Sequence, residues 1–125
     1  MKINPRDVQM QKKDRMYFLD KIIIPEGNKK HLFNRGEIKF IKSDKYYMNV
    51  YCIDRRVLIR ITMKQLENIL PSNFLRINKS VIVNMSFVVR IEESKSSCCV
   101  ILPNEIEHQV TEKFKLLFDS YFIHT

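Results

Sequence analysis

Glycine is nearly missing from this 125-residue chain, which holds only Gly27 and Gly36. Two isolated glycines cannot build a Gly-rich loop that cradles phosphate. Tryptophan is absent, and cysteine is limited to Cys52, Cys98 and Cys99. Two of the three are adjacent and no CxxC occurs, so they fit neither a disulfide framework nor a zinc site. They read as reduced, partly buried thiols of a cytoplasmic protein. No apolar run approaches the roughly 20 residues that cross a bilayer. The N-terminal "MKINPRDVQMQKKDRMYF" has no apolar core of the kind a secretory signal carries. Neither membrane insertion nor export is therefore expected.

Catalytic patterns are equally scarce. His31, His108 and His124 are dispersed and lack metal-ligand spacing. Glu92-Glu93 reads as a solvated pair rather than a general acid and base. Cys98 and Cys99, neighbours in a strand, would point to opposite faces, a poor geometry for a nucleophile and a resolving thiol. No enzyme activity, cofactor, metal or small-molecule substrate is expected.

What the chain does hold is positive charge and enough apolar residues for one small core. Hydrophobic residues make up 45%, which argues against disorder. The net charge of +8 favours a polyanionic partner. Its distribution is uneven. Residues 1–36 and 37–79 each carry nine lysines and arginines against four acids, whereas 80–125 carry four against six.

Hydrophobic periodicity divides the chain near Phe18 to Asp20. Before it, Pro5 and the stripe Val8, Lys12, Arg15, Met16 and Leu19 predict a short helix or a charged extension over 1–19. Short strands follow. Ile22–Ile24 and Lys30–Phe33 flank the turn chemistry of Pro25–Asn28. "GEIKFIK" and "YYMNVYCI" show period two around a polar "KSDK" break, and "VLIRIT" follows the Asp54-Arg55 turn. Then the period changes. In "TMKQLENIL", Thr62 and Gln65 form a capping box, Met63, Leu66, Ile69 and Leu70 recur at helical spacing, and Pro71 ends the helix. "FLRI" and "SVIVN" return to strand character. "FVVRIEES" and "CCVILP" flank "KSS" as a hairpin, and "EIEHQV" alternates again. Thr111 and Glu112 suit a helix start, after which Phe114, Leu117, Phe118 and Tyr121 share a face. The expected fold is mainly β within the α+β class: hairpins, one mid-chain helix and one C-terminal helix.

The stretch "FLRINKSVIVN" stands out, because Arg76, Asn78, Lys79 and Ser80 interrupt an otherwise apolar run. With the helix before it, this stretch resembles the LytTR-type DNA-binding domain, the output domain of a class of bacterial response regulators. That family carries a helix with spaced leucines ended near a proline and then F-x-R-x-H-[RK]-S-x-x-V-N. Leu66, Leu70, Pro71, Phe74, Arg76, Lys79, Ser80, Val83 and Asn84 match it, and the likeness spans about Asp20 to Tyr121. The resemblance implies an elongated β fold that places three loops, rather than a recognition helix, into successive major grooves of bent double-stranded DNA. Here the loops would be Ser43–Tyr47, Arg76–Ser80 and Thr111–Lys113. It further implies transcription regulation and paired binding, as a dimer or as two copies on repeated sites. With no receiver domain in these residues, a stand-alone member or one cut from a longer chain is expected, the first the more natural, made of the 1–19 extension and a DNA-binding domain over 20–125.

Two positions depart from the pattern. Asn78 stands where the family has histidine, and its amide can still pair with adenine. Thr111-Glu112 replaces a Ser-Arg pair, and Glu112 repels phosphate, leaving Lys113 as the cation of that loop. The candidate DNA-contacting residues are thus Lys42, Ser43, Lys45, Tyr47, Arg76, Asn78, Lys79, Ser80 and Lys113. Each has a plainer reading beside it. Lys79 is a contact to guanine or phosphate, or a solvated lysine. Asn78 reads a base or supports its own turn. Arg76 meets a phosphate, or packs its stem and pairs with an acid. Ser80 donates to phosphate or caps the turn, and Asn84 satisfies a bend. Of Tyr46 and Tyr47, one is expected in the core, with Tyr47 the outward one. Arg55 and Arg56 read as solvated charges at a hairpin tip. Two rival functions remain: a protein-interaction module that has lost DNA reading, favoured by Glu112, and an RNA binder using Tyr46, Tyr47 and Tyr51 as an aromatic platform.

Overall fold

A computed structural model describes residues 20–123. The helix or extension expected over 1–19 lies outside the described residues. Strand β1 (Lys21–Glu26) and β2 (Lys29–Asn34) form an antiparallel hairpin closed by Gly27 and Asn28. Gly27 has φ +60, the left-handed region that a tight turn demands and that glycine enters at little cost. Strands β3 (Ile38–Asp44), β4 (Tyr47–Cys52) and β5 (Arg56–Ile59) continue as a meander. Helix α1 (Met63–Ile69) follows, then β6 (Phe74–Arg76) and β7 (Val81–Asn84). Together these strands make a five-stranded antiparallel sheet ordered β5-β4-β3-β7-β6. Strands β8 (Arg90–Glu93), β9 (Cys98–Leu102) and β10 (Ile106–Gln109) form a third sheet, and α2 (Glu112–Ile123) closes the described chain.

Strand alternation splits the core into two layers. On β7, Ile82 joins Ile22, Ile24, Phe33, Ile41, Val50, Ile59 and Leu66, the cluster shared with the β1–β2 hairpin and α1. Its neighbours Val81 and Val83 point the other way and join Phe40, Ile77, Val100, Leu102, Val110 and Phe118, shared with the third sheet and α2. The large sheet is therefore covered on both faces, which is why β7 is apolar from Val81 to Val83. A register shift between Ile38 and Phe40 lets β3 serve both layers: Ile38 and Ile41 enter the first and Phe40 the second.

The capping box at Thr62 forms as expected: the Thr62 side chain accepts from Gln65 N at 3.1 Å, and Gln65 Oε1 accepts from Thr62 N at 3.0 Å. Three expectations change. Tyr46 and Tyr47 are both exposed, at 74% and 39%, because the ladder closes on Asp44 and Tyr47 and leaves Tyr46 at the turn tip. Leu117 is exposed although its helical spacing suggested burial, since the contact face of α2 runs along Phe114, Phe118 and Tyr121 and leaves Leu117 to its side. Finally, "FVV" is not strand: Met85–Phe87 is a 3₁₀ turn whose first free N–H, on Ser86, is taken by Asn84 Oδ1, and β8 begins only at Arg90.

His108 on β10 rests against the Phe40 ring, with centroids 4.5 Å apart. Its Nε2 is buried and finds no hydrogen-bond partner among the described residues. Burial, then the nearby Lys42 charge, hold this imidazole below its ordinary pKa. Below about pH 6.5 the unfolded chain therefore takes up a proton that the folded chain resists, and stability falls as pH drops through that value. Urea midpoints measured across mildly acidic pH should show this slope, and His108→Phe should reduce it.

Candidate nucleic-acid interface

The direction of the strands gathers several loops at one edge. Strand β3 runs toward the Lys45–Tyr46 turn, and β7 starts beside it, with Val81 paired to Lys42. The loop between β6 and β7, Ile77–Ser80, is closed at its base by Ile77 N donating to Val81 O at 3.0 Å. Ile77 is fully buried and pins the loop to the second core layer.

The polar residues of this loop mostly hold one another. Asn78 Oδ1 accepts from Ser80 N at 2.8 Å, an Asx-type turn two residues long. Its Nδ2 donates across the fold to Gln109 O at 2.8 Å. Arg76 donates to the carbonyls of Asn78 and Lys79, at 3.3 and 2.8 Å, and pairs with Glu67 of α1 at 2.8 Å. Its guanidinium also lies 5.0 Å from the centre of the Phe114 ring on α2. One arginine thus joins both helices to the loop. Within 77–80 only Lys79 is left exposed.

The central loop is tied to both neighbours. Ser43 N donates to Ser80 O at 2.8 Å, which joins it to the β3–β4 turn. Thr111 N donates to Ile77 O at 2.9 Å, which joins it to the start of α2. A shallow cleft of about 400 Å³ lies between the central and third loops, lined by Asn78, Lys79, Thr111, Lys113 and Phe114. Lys42, Lys45, Tyr47 and Lys113 are exposed, and Ser43 and Ser80 half-buried, along this edge. Lys45 adopts a positive φ of 33 at the turn. Arg55 and Arg56 sit at the opposite end of β4, near Glu37 at 3.2 Å and over Tyr51 respectively.

All nine candidates thus fall on one set of joined loops, or directly beneath it in the case of Arg76. For Asn78 and Arg76 the geometry shows the plainer reading in place, turn support and acid pairing. Gln109, Glu67 and Phe114 take part in the bracing and were not legible in the sequence, because each lies far along the chain from its partner. A further cleft of about 600 Å³ lies behind the loops between α1, β6 and α2 and is mostly apolar.

Comparison with known proteins bears on the domain as a whole. Residues 28–122 match the family model described as the LytTr DNA-binding domain. The chain belongs to the LytTr DNA-binding domain family. Among solved structures, this LytTr domain is similar to one described as the LytTr DNA-binding domain of a methyl-accepting/DNA response regulator from Bacillus cereus. The TM-score is 0.68 at 14% identity, covering 81% of this chain and 94% of that one. At that identity the likeness shows the fold: antiparallel sheets, a mid-chain helix and a C-terminal helix. Curated protein sequences give no match. Membership places the chain among DNA-binding modules rather than enzymes. No helix among the described residues is long and apolar enough to cross a membrane.

Other chemistry-bearing groups lie outside the loops. Glu92, Cys99 and Glu107 bring their ligand atoms within 4.8 Å of one another on the three-stranded sheet. A hydrogen bond to the Glu107 carboxylate, then burial, push the Cys99 thiol up to about 11, so it stays protonated near neutral pH. Burial also raises Cys52 and Cys98.

Proposed function

We propose that this LytTr domain is a sequence-specific double-stranded DNA-binding protein of bacterial transcription regulation, acting in the cytoplasm. The observation that carries this reading is the bracing of three loops into one edge on which the exposed lysines Lys42, Lys45, Lys79 and Lys113 outnumber the exposed acids Asp44 and Glu112. Arg76, Asn78 and Ser80 fix the shape of the central loop and Lys79 is its projecting reader. Lys42, Lys45 and Lys113 lie alongside to meet phosphates, and Tyr47 and Ser43 meet sugar or base. Phosphate contacts supply the bulk of the affinity and base contacts the choice of sequence. The loops enter successive major grooves, and two copies occupy repeated half-sites.

A second reading, a partner-binding module, draws on Glu112, an exposed acid at the start of α2 where the family has arginine. Salt separates the two. Several cation–phosphate contacts make log K fall steeply with log salt, with a slope near −0.9 per phosphate neutralised. Fluorescence anisotropy with duplex DNA in a salt series should give a slope of about −3 to −5. No duplex binding at low salt would favour the partner-binding module.

A further inference from the structure

The loop edge does not end at the β3–β4 turn. Strand β5 runs antiparallel to β4, with Met48 opposite Ile59, so Arg60 emerges beside Tyr47. Its guanidinium lies 5.3 Å from the centre of the Tyr47 ring and 3.4 Å from Tyr47 Oη. Arg60 N also donates to Glu26 Oε2 at 2.6 Å, which brings the tip of the β1–β2 hairpin to the same edge. Glu26 lies opposite Lys29, and Pro25 opposite Lys30. The Glu26 carboxylate is occupied by the Arg60 N–H and by His31 at 2.9 Å, and these hold it below the usual carboxylate range. Lys29 and Lys30 are exposed. Neither side chain takes part in a hydrogen bond or salt bridge among the described residues.

Between the turn and the start of α1 lies an open cleft of about 360 Å³. Lys45, Arg60, Tyr46, Tyr47, Ser43 and Thr62 are among its lining, and no carboxylate is. A concave site with two cations, two phenols, two aliphatic hydroxyls and no acid in its lining suits an anion with several oxygens.

We infer that this cleft seats a backbone phosphate of duplex DNA, with the β1–β2 hairpin tip as a fourth, outboard contact. The inference rests on the DNA-binding reading above and extends its footprint on the side of the β3–β4 turn. Arg60 and Lys45 hold one phosphate in the cleft, and Lys29 and Lys30 attract those next to it. These contacts carry no base information, so they lengthen the site and raise affinity on any sequence. Arg60, a lone arginine after an apolar strand, gave no sign of this in the sequence.

The test compares the wild-type protein with Arg60→Ala and with Lys29→Ala/Lys30→Ala, using duplex DNA, salt-series anisotropy and hydroxyl-radical footprinting. Both changes are to exposed side chains, and the Arg60 N–H to Glu26 survives substitution. Each variant should bind with a salt slope smaller by about one to two. Protection should shorten at the end of the site bound by the turn, while protection at the centre remains. The hairpin variant leaves Tyr47 untouched, so its effect cannot come from misplacing that side chain. If wild type binds and both variants keep its slope and its full footprint, the outboard seat is wrong and the three-loop reading stands. If wild type protects no duplex even at low salt, both fall together.

Discussion

Lys79→Ala is expected to weaken binding to the preferred duplex by about 5- to 150-fold, the equivalent of roughly 1–3 kcal/mol for a base-edge contact. Thermal stability should hardly move, because an exposed side chain away from packing features contributes within about 0.5 kcal/mol. The contrast with Arg76 sharpens the prediction. Arg76 holds two carbonyls of the loop, the Glu67 carboxylate and the Phe114 ring. Arg76→Ala should therefore lose affinity and melt earlier as well. Arg76→Lys should not restore either, since an ammonium cannot span two carbonyls and a carboxylate in one plane. Anisotropy and melting on the three variants separate the projecting residue from the one that shapes the loop.

Asn84→Ala is expected to cost about 2–4 kcal/mol of stability, from three lost hydrogen bonds in a buried site. Asn84 is only 1% exposed and lies at the end of β7. Its Nδ2 donates to Ile38 O at 2.9 Å, and its Oδ1 accepts from Asn73 Nδ2 at 2.8 Å and Ser86 N at 3.0 Å. Truncation strands the Ile38 carbonyl in a site that water does not reach. For a domain of this size the melting temperature should drop on the order of 10–25 °C. A melting temperature within two or three degrees of wild type, read as about half a kcal/mol or less, would mean that the site refills without cost.

Asn84 and Asn78 also show what a sequence can and cannot disclose. Asn84 closes an apolar strand, and its role at a bend follows from that position alone. The capping box at Thr62 and the β1–β2 turn at Gly27 are legible for the same reason, because each is set within a few residues. Asn78 is different. Its partner Gln109 lies 31 residues away on β10, and no local pattern announces that bond. Arg76 likewise alternates like a solvent-facing strand residue, yet its charge is spent on α1 and on its own loop. Tyr46 was misplaced by register: period two continues through "YYMNVY", but the turn takes Tyr46 out of the ladder. Leu117 was misplaced because spacing defines a helical face and not how much of it a partner covers. The candidate residues thus lie along one edge, while the bracing role of Arg76 and Asn78 needed the tertiary hydrogen bonds.

The account stands most directly on whether the central loop chooses a sequence. Selection of preferred sites from a random duplex pool, run with wild type and with folded Lys79→Ala, measures that choice. The account predicts that wild type enriches a defined, repeated site and that Lys79→Ala, with its melting temperature intact, loses the enrichment at that position. An identical site recovered by both proteins, or no enrichment by wild type, would contradict it.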